Sequence, residues 1–214
     1  MPVWIVGGGL AGCEAALQLA RRGVPVRLFE QKPHRRTEAQ VTDELAELVC
    51  SNSFRGVGLE NAVGAIKEEM RMVGGALIEA ADAARVPAGG ALAVDRDVFS
   101  ARVGALVRET PGIELVHEEV RELPPPEVAD TVVLATGPLT SPGLAATIER
   151  LTGERLYFYD AIAPIVAAEG IDHGVAWRGS RYGKGEGDEY LNLPLDEPTY
   201  RAFVDAVLDA EKVT

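Results

Sequence analysis

Val3-Trp4-Ile5-Val6-Gly7-Gly8-Gly9-Leu10-Ala11-Gly12 runs directly into Cys13-Glu14-Ala15-Ala16-Leu17-Gln18-Leu19-Ala20. The stretch reads as a short apolar strand, a G-x-G-x-x-G turn and a helix. Gly7 permits the sharp turn, Gly9 withholds a side chain that would stand where a diphosphate lies, and Gly12 lets the helix press onto the strand. The unpaired N–H groups at the helix start, Leu10 and Ala11 among them, favour an anion. A second strand, Val24 to Phe29, ends at Glu30, eighteen residues past Gly12. A carboxylate there can hold the ribose hydroxyls of an adenosine and repel a 2′-phosphate. Strand, turn, helix, strand and terminal acid in register predict an α/β, Rossmann-like unit that takes a dinucleotide. The plainer alternative is a structural strand-to-helix turn with Glu30 solvated.

Past Glu30, Gln31-Lys32-Pro33-His34-Arg35-Arg36 is polar and interrupted by proline, which predicts a loop whose basic residues either approach phosphates or stay solvated. Thr42 to Val49 predicts a short helix delivering Cys50-Ser51-Asn52-Ser53-Phe54-Arg55. From Asn61, the residues Ile66, Met70, Val73, Leu77 and Ala81 recur every three or four positions, predicting one longer helix with an apolar face. Residues 42–86 together read as a helical cover over the nucleotide-binding unit.

Ala91 to Val94 predicts a strand, with Asp95 capping a helix from Arg96 to about Glu109. Ile113–His117 and Glu119–Leu123 alternate as half-exposed strands. After Pro124-Pro125-Pro126, the apolar run Thr131 to Leu134 enters Ala135-Thr136-Gly137-Pro138, as expected of a buried parallel strand whose carboxyl end abuts a ligand. Ala135, Thr136 and Gly137 therefore join Gly7 to Gly12 and Glu30 as candidate cofactor-binding residues. This first domain spans 1–140. Residues 141–214 read as part of a second, α+β domain: a helix at Thr147–Leu151, aromatic and apolar Tyr157 to Val166, a basic glycine-rich loop from Arg178 to Gly185, a strand at Tyr190–Leu193 and an amphipathic helix from Glu197. No second strand–G-x-G-x-x-G–helix unit follows, so no dedicated nicotinamide-binding domain is expected in this stretch.

The formal charge of −12 argues against non-specific nucleic-acid binding over the whole surface, although a local basic patch can still contact phosphates. No uncharged apolar run reaches the length of a membrane span, and no basic leader precedes the first strand. Cys13 and Cys50 lack framework spacing, which suits a reducing compartment, and a cytoplasmic protein is expected. His34, His117 and His173 are scattered, so no metal site is expected.

Several blocks resemble one family, the folate- and FAD-dependent tRNA (uracil-5-)-methyltransferases known as TrmFO, relatives of the GidA tRNA-modifying flavoproteins. They are Gly7 to Ala16, Cys50-Ser51-Asn52-Ser53-Phe54-Arg55, Asn61-Ala62-Val63-Gly64 with Lys67-Glu68-Glu69-Met70-Arg71, Val94-Asp95-Arg96, Ala135 to Thr140, Tyr157-Phe158-Tyr159-Asp160-Ala161 and Ser180-Arg181-Tyr182-Gly183-Lys184-Gly185. The resemblance implies a GidA- and glutathione-reductase-like FAD-binding domain with the start of an inserted domain. It also implies bound FAD, reduction by NADH or NADPH, and transfer of a one-carbon unit from 5,10-methylenetetrahydrofolate to carbon 5 of a uridine in the T loop of tRNA. The family carries a further cysteine and a closing strand–turn–helix beyond the point where this sequence stops, so a fragment of a longer protein is expected.

Cys50 is the candidate catalytic residue, because methylation at carbon 5 needs a nucleophile at carbon 6 and a thiolate suits that addition. Its role as uracil nucleophile, general acid/base or flavin partner stays open, as does an unreactive role. Cys13 reads as packing. Arg178, Arg181 and Lys184 either meet folate carboxylates or tRNA phosphates, or stay solvated. Tyr157, Phe158 and Tyr159 either stack on a pterin or base, or lie in a core. The rival functions are a GidA-like flavoprotein making another tRNA uridine modification and a non-catalytic nucleotide-binding scaffold.

Overall fold

The structure, a computed structural model, describes residues 1–154, 167–180, 188 and 190–211. The elements, in chain order, begin with β1 (Val3–Val6), α1 (Leu10–Arg21), β2 (Val26–Glu30), β3 (Ser53–Gly56), α2 (Ala62–Met72), α3 (Ala76–Ala83) and β4 (Arg85–Val86). They continue with β5 (Ala91–Val94), α4 (Arg96–Glu109), β6 (Ile113–His117), β7 (Val132–Leu134) and α5 (Pro142–Thr152), and end with β8 (Trp177–Arg178), β9 (Leu191–Asn192) and α6 (Glu197–Asp209).

Two compact units result. The first holds Met1–Val86 and the stretch from Ala91 through α5; the second holds Pro87–Gly90 and the described residues from Ala167 onward. The first unit is built on a four-stranded sheet in the order β6-β2-β1-β7. Every pairing in it is parallel: Ile5 sits opposite Leu28 and Val133, and Glu30 opposite His117. A smaller antiparallel sheet, β3-β5-β4, stands beside it. The main core gathers Ile5 and Leu28 from the large sheet, Cys13, Ala16 and Leu17 from α1, Leu77 and Ala81 from α3, and Phe99, Val103 and Val107 from α4. Each fully buried aliphatic side chain of this kind contributes about 2 kcal/mol through removal from water. A second cluster joins Val6, Phe29, Val120 and Leu144, with Ile148 against it. α5 therefore belongs to the first unit, which extends past residue 140.

Four local expectations are corrected. Residues 42–49 form turns, not a helix. Their N–H groups go elsewhere: Glu47 Oε1 accepts from Val41 and Thr42, while Ala46, at φ 52°, donates to the Gly8 carbonyl. The long helix from Asn61 is broken into α2 and α3 at Gly74, whose φ is 74°. Of the expected apolar face only Leu77 and Ala81 are buried; Ile66, Met70 and Val73 are exposed, and α2 instead buries Gly64 and Lys67. A β-carbon on Gly64 would fall 2.0 Å from the Gly58 carbonyl oxygen, so α2 lies directly on that backbone. Glu119–Leu123 forms no strand; the Glu119 carboxylate is drawn to Arg35 and Arg121, and Arg121 O accepts from the Thr147 hydroxyl. β7 is parallel as expected but stands at the sheet edge, half buried, with Leu134 exposed.

Asp95 caps α4, its Oδ1 accepting from Val98 N at 3.0 Å. In the second unit β8 and β9 pair antiparallel, and α6 begins at the Asp196 cap, which accepts from Thr199 N at 2.8 Å. The expected aromatic stretch at Tyr157 lies outside the described residues, as do Arg181 and Lys184.

Candidate functional site

The carboxyl ends of β1, β2 and β7 open onto a cavity of about 380 Å³. Its walls include Gly7 to Ala11 from the glycine turn, Glu30 at the end of β2, and Ala135, Thr136 and Gly137 after β7. Parallel strands force this convergence, since their carboxyl ends emerge on one side and the chain must leave each by a loop. The volume falls within the range of small-molecule sites.

Three glycines of the turn do different work. Gly7, at φ 111°, sits so close to the loop after β7 that a β-carbon would fall 2.5 Å from the Ala135 carbonyl oxygen. One on Gly12 would fall 1.8 Å from the Gly7 carbonyl oxygen, so α1 lies directly against the turn. Gly9 is the opposite case. Its φ of −78° suits any residue, and a β-carbon there would meet nothing within 4 Å. That space belongs to the cavity, at the amino terminus of α1, where unpaired N–H groups and the helix dipole favour negative charge. Room at Gly9 beside this helix start is what the diphosphate of a dinucleotide requires, and the residues present fit such a group.

The turn is held from both sides. Glu30, only 5% exposed, accepts from Gly8 N at 3.0 Å through Oε2 and from Lys32 N at 2.9 Å through Oε1. The Gly8 carbonyl accepts from Ala46 N at 2.8 Å and from the Cys13 thiol at 3.3 Å. Each Glu30 oxygen keeps further acceptor capacity. Burial, with the Glu30 charge nearby, pushes the Cys13 thiol up to about 12, so Cys13 is a packing residue and hydrogen-bond donor.

Segment 31–49 forms another wall, and its basic residues are committed to carboxylates. Lys32, 1% exposed, pairs with Glu47 at 3.0 Å and donates to the Glu44 carbonyl. Arg35 pairs with Glu119 at 2.7 Å and Arg36 with Asp43 at 2.7 Å. Burial raises the Glu47 pKa, but the Val41 and Thr42 N–H donors and the Lys32 ammonium outweigh it, and the net shift is downward. Hydrogen bonding from Arg121 holds Glu119 below the usual carboxylate range despite desolvation. Glu30, Glu47, Glu118 and Glu119 all line the cavity, an acidic setting hostile to an additional phosphate on the ribose.

Cys50 is exposed and directly follows Val49, a cavity-lining residue. Arg55 occupies a bulge in β3 at φ 67° and is exposed. Its charge acts on Lys67, whose pKa is lowered by burial first and by Arg71 and Arg55 after it. Arg178 is exposed in β8 and donates to the Asp188 carbonyl at 3.3 Å. Of the residues expected from the sequence, Gly7 to Ala11, Glu30 and Ala135–Gly137 meet at the cavity, while Gly12 packs behind them against the Gly7 carbonyl. Sequence reasoning missed Thr37, Gln40, Glu47, Glu118 and Glu119, which reach the cavity only through tertiary contacts; the charge alternation of Lys32, Arg35 and Arg36 with Asp43, Glu44 and Glu47 was the available signal.

The chain is 60% identical over 211 residues to the methylenetetrahydrofolate–tRNA-(uracil-5-)-methyltransferase TrmFO of Anaeromyxobacter dehalogenans strain 2CP-C, covering 99% of this chain and 46% of that relative. Against the Geobacter sulfurreducens protein of the same name the identity is 61% over 211 residues, covering 99% and 48%. The chain spans about half the length of these curated relatives. Among solved structures, Aquifex aeolicus GidA in its form II crystal superposes with a TM-score of 0.47 at 20% identity, over 58% of this chain and 20% of that one. The family profile described as glucose inhibited division protein A matches residues 2–214, and the chain belongs to that GIDA family.

Proposed function

We propose that this chain supplies the FAD-binding part of a flavoprotein that methylates carbon 5 of a uridine in the T loop of tRNA, taking the one-carbon unit from 5,10-methylenetetrahydrofolate and electrons from NADH or NADPH. The observation that carries the reading is 60% identity to a protein of that name over 99% of this chain and 46% of that relative, joined to a cavity whose glycine turn leaves room for a diphosphate. Tight control of the glycine turn gives that identity a physical counterpart. We further propose a cytoplasmic location, supported by two cysteines without framework spacing.

In this reading the α1 amino terminus and the open face of Gly9 receive the diphosphate, and Glu30 accepts from the adenosine ribose. Ala135, Thr136 and Gly137 border the same cofactor; the Thr136 hydroxyl, 2.7 Å from that of Thr140, is already oriented. Bound there, the flavin supplies the electrons that turn a transferred methylene into a methyl group. Cys50 is the proposed catalytic residue, its exposed thiol standing one residue beyond the cavity wall. Arg178, Arg181 and Lys184 are proposed to meet anionic groups of folate or tRNA.

Isotope-labelled methylenetetrahydrofolate, FAD, NAD(P)H and a tRNA transcript incubated with the full-length protein test this. The expected product is tRNA heavier by one labelled CH2 group at a T-loop uridine. A product carrying a different uridine modification would favour a GidA-like reaction, and FAD binding without any product would favour a scaffold.

A further inference from the structure

The cavity wall formed by segment 31–49 is almost fully provided with partners. Glu47 takes up Lys32, Val41 N–H and Thr42 N–H, and Arg35 is paired with Glu119. Around Thr37 the backbone is tied as well: Thr37 N donates to Gln40 Oε1 at 2.9 Å, and Gln40 N donates to the Thr37 carbonyl at 3.1 Å. One group stands apart. Thr37 Oγ1 is buried and makes no hydrogen bond to the described residues, although Thr37 lines the cavity. A buried hydroxyl without a partner carries a desolvation penalty, and such groups are uncommon unless something else satisfies them.

From this we infer that the Thr37 hydroxyl is a hydrogen-bond donor to an acceptor atom of the dinucleotide. The inference rests on the reading of the cavity as an FAD site and adds a residue to it. The ionised carboxylates of Glu30, Glu47 and Glu119 on the same cavity can only accept. A hydroxyl among them supplies a donor, matched to phosphate and ribose oxygens or to a ring nitrogen. Thr37 as a residue is half-buried, and rotation about χ1 moves its hydroxyl among staggered positions without backbone movement. The cofactor then relieves an otherwise unsatisfied group.

Thr37→Val replaces the hydroxyl by a methyl of nearly the same size. Without FAD its urea midpoint is expected to equal or exceed that of the wild type, because an unsatisfied polar atom is removed. In FAD titrations of the full-length protein followed by flavin fluorescence, its dissociation constant is expected to rise about tenfold, and Thr37→Ser should restore near-wild-type affinity. Wild-type FAD affinity in Thr37→Val would overturn the assignment while leaving the cavity reading intact. So would a Thr37→Val protein that loses stability without FAD while Thr37→Ser also binds weakly, since the residue would then be structural. Failure of the wild type to bind FAD at all would overturn both.

Discussion

At the scale of single residues, Gly9 and Gly12 separate binding from folding. A side chain at Gly9 enters open cavity with a permitted backbone, so Gly9→Val should unfold within about 0.5 kcal/mol of the wild type, as substitutions away from packed features do. A side chain at Gly12 strikes the Gly7 carbonyl, and Gly12→Ala should lose about 3 kcal/mol or more in urea unfolding. Equal effects of the two would show that the turn is not packed as described. The cysteines form a second contrast. With Cys13 buried and its thiol pushed up to about 12, a thiol reagent should label Cys50 rapidly in the native protein and Cys13 only after denaturation. Cys50→Ala should then remove native labelling of the peptide that holds position 50, retain FAD affinity and lose methyl transfer by a factor of about 100 or more; undiminished turnover would remove Cys50 from the chemistry.

At the scale of elements, segment 31–49 hangs on the Lys32–Glu47 pair, whose side chains are 2% and 9% exposed. Removing one partner leaves the other charge buried, so Lys32→Met should cost about 3–5 kcal/mol in equilibrium unfolding; a cost below about 1 kcal/mol would show that the pair does not anchor the segment. This same region marks where the sequence stops being legible. β1, α1 and β2 could be read from the sequence because their pattern is local: an apolar strand, three glycines at fixed spacing and an acid after the second strand. Residues 42–49 could not be read, because their helical spacing is overruled by the Glu47 carboxylate, which takes the Val41 and Thr42 N–H groups, and by the Gly8 carbonyl, which is remote from Ala46 in sequence. The apolar spacing of Ile66, Met70 and Val73 misled in the same way. α2 buries Lys67 instead, whose ammonium donates to the Gly56 and Val63 carbonyls at 2.9 and 3.0 Å. Strand existence was legible at β6 and β7, but the edge position of β7 depends on what pairs beyond it, which no single-strand pattern encodes.

For the molecule as a whole, the acidic balance has a defined pH signature. Glu47 and Glu119 both have folded pKa values below their ordinary value of 4.5, so their contribution to stability is fully present above that pH and is lost as pH falls through the folded values. Unfolding midpoints should therefore decline below about pH 4.5, and Glu47→Gln should flatten that decline while lowering stability at neutral pH. An unchanged acid limb in the variant would remove Glu47 as a source. The larger design is a parallel sheet whose carboxyl edge gathers a glycine turn, a buried glutamate and the loop after β7 around one cavity, and the proposal is that FAD occupies it. Equilibrium titration of the full-length wild type and Gly9→Val with FAD, followed by flavin fluorescence, addresses that most directly. The account predicts one saturable site in the wild type and its loss in a Gly9→Val protein that remains folded; a wild type that takes up no flavin, or a Gly9→Val variant that binds it equally well, would contradict it.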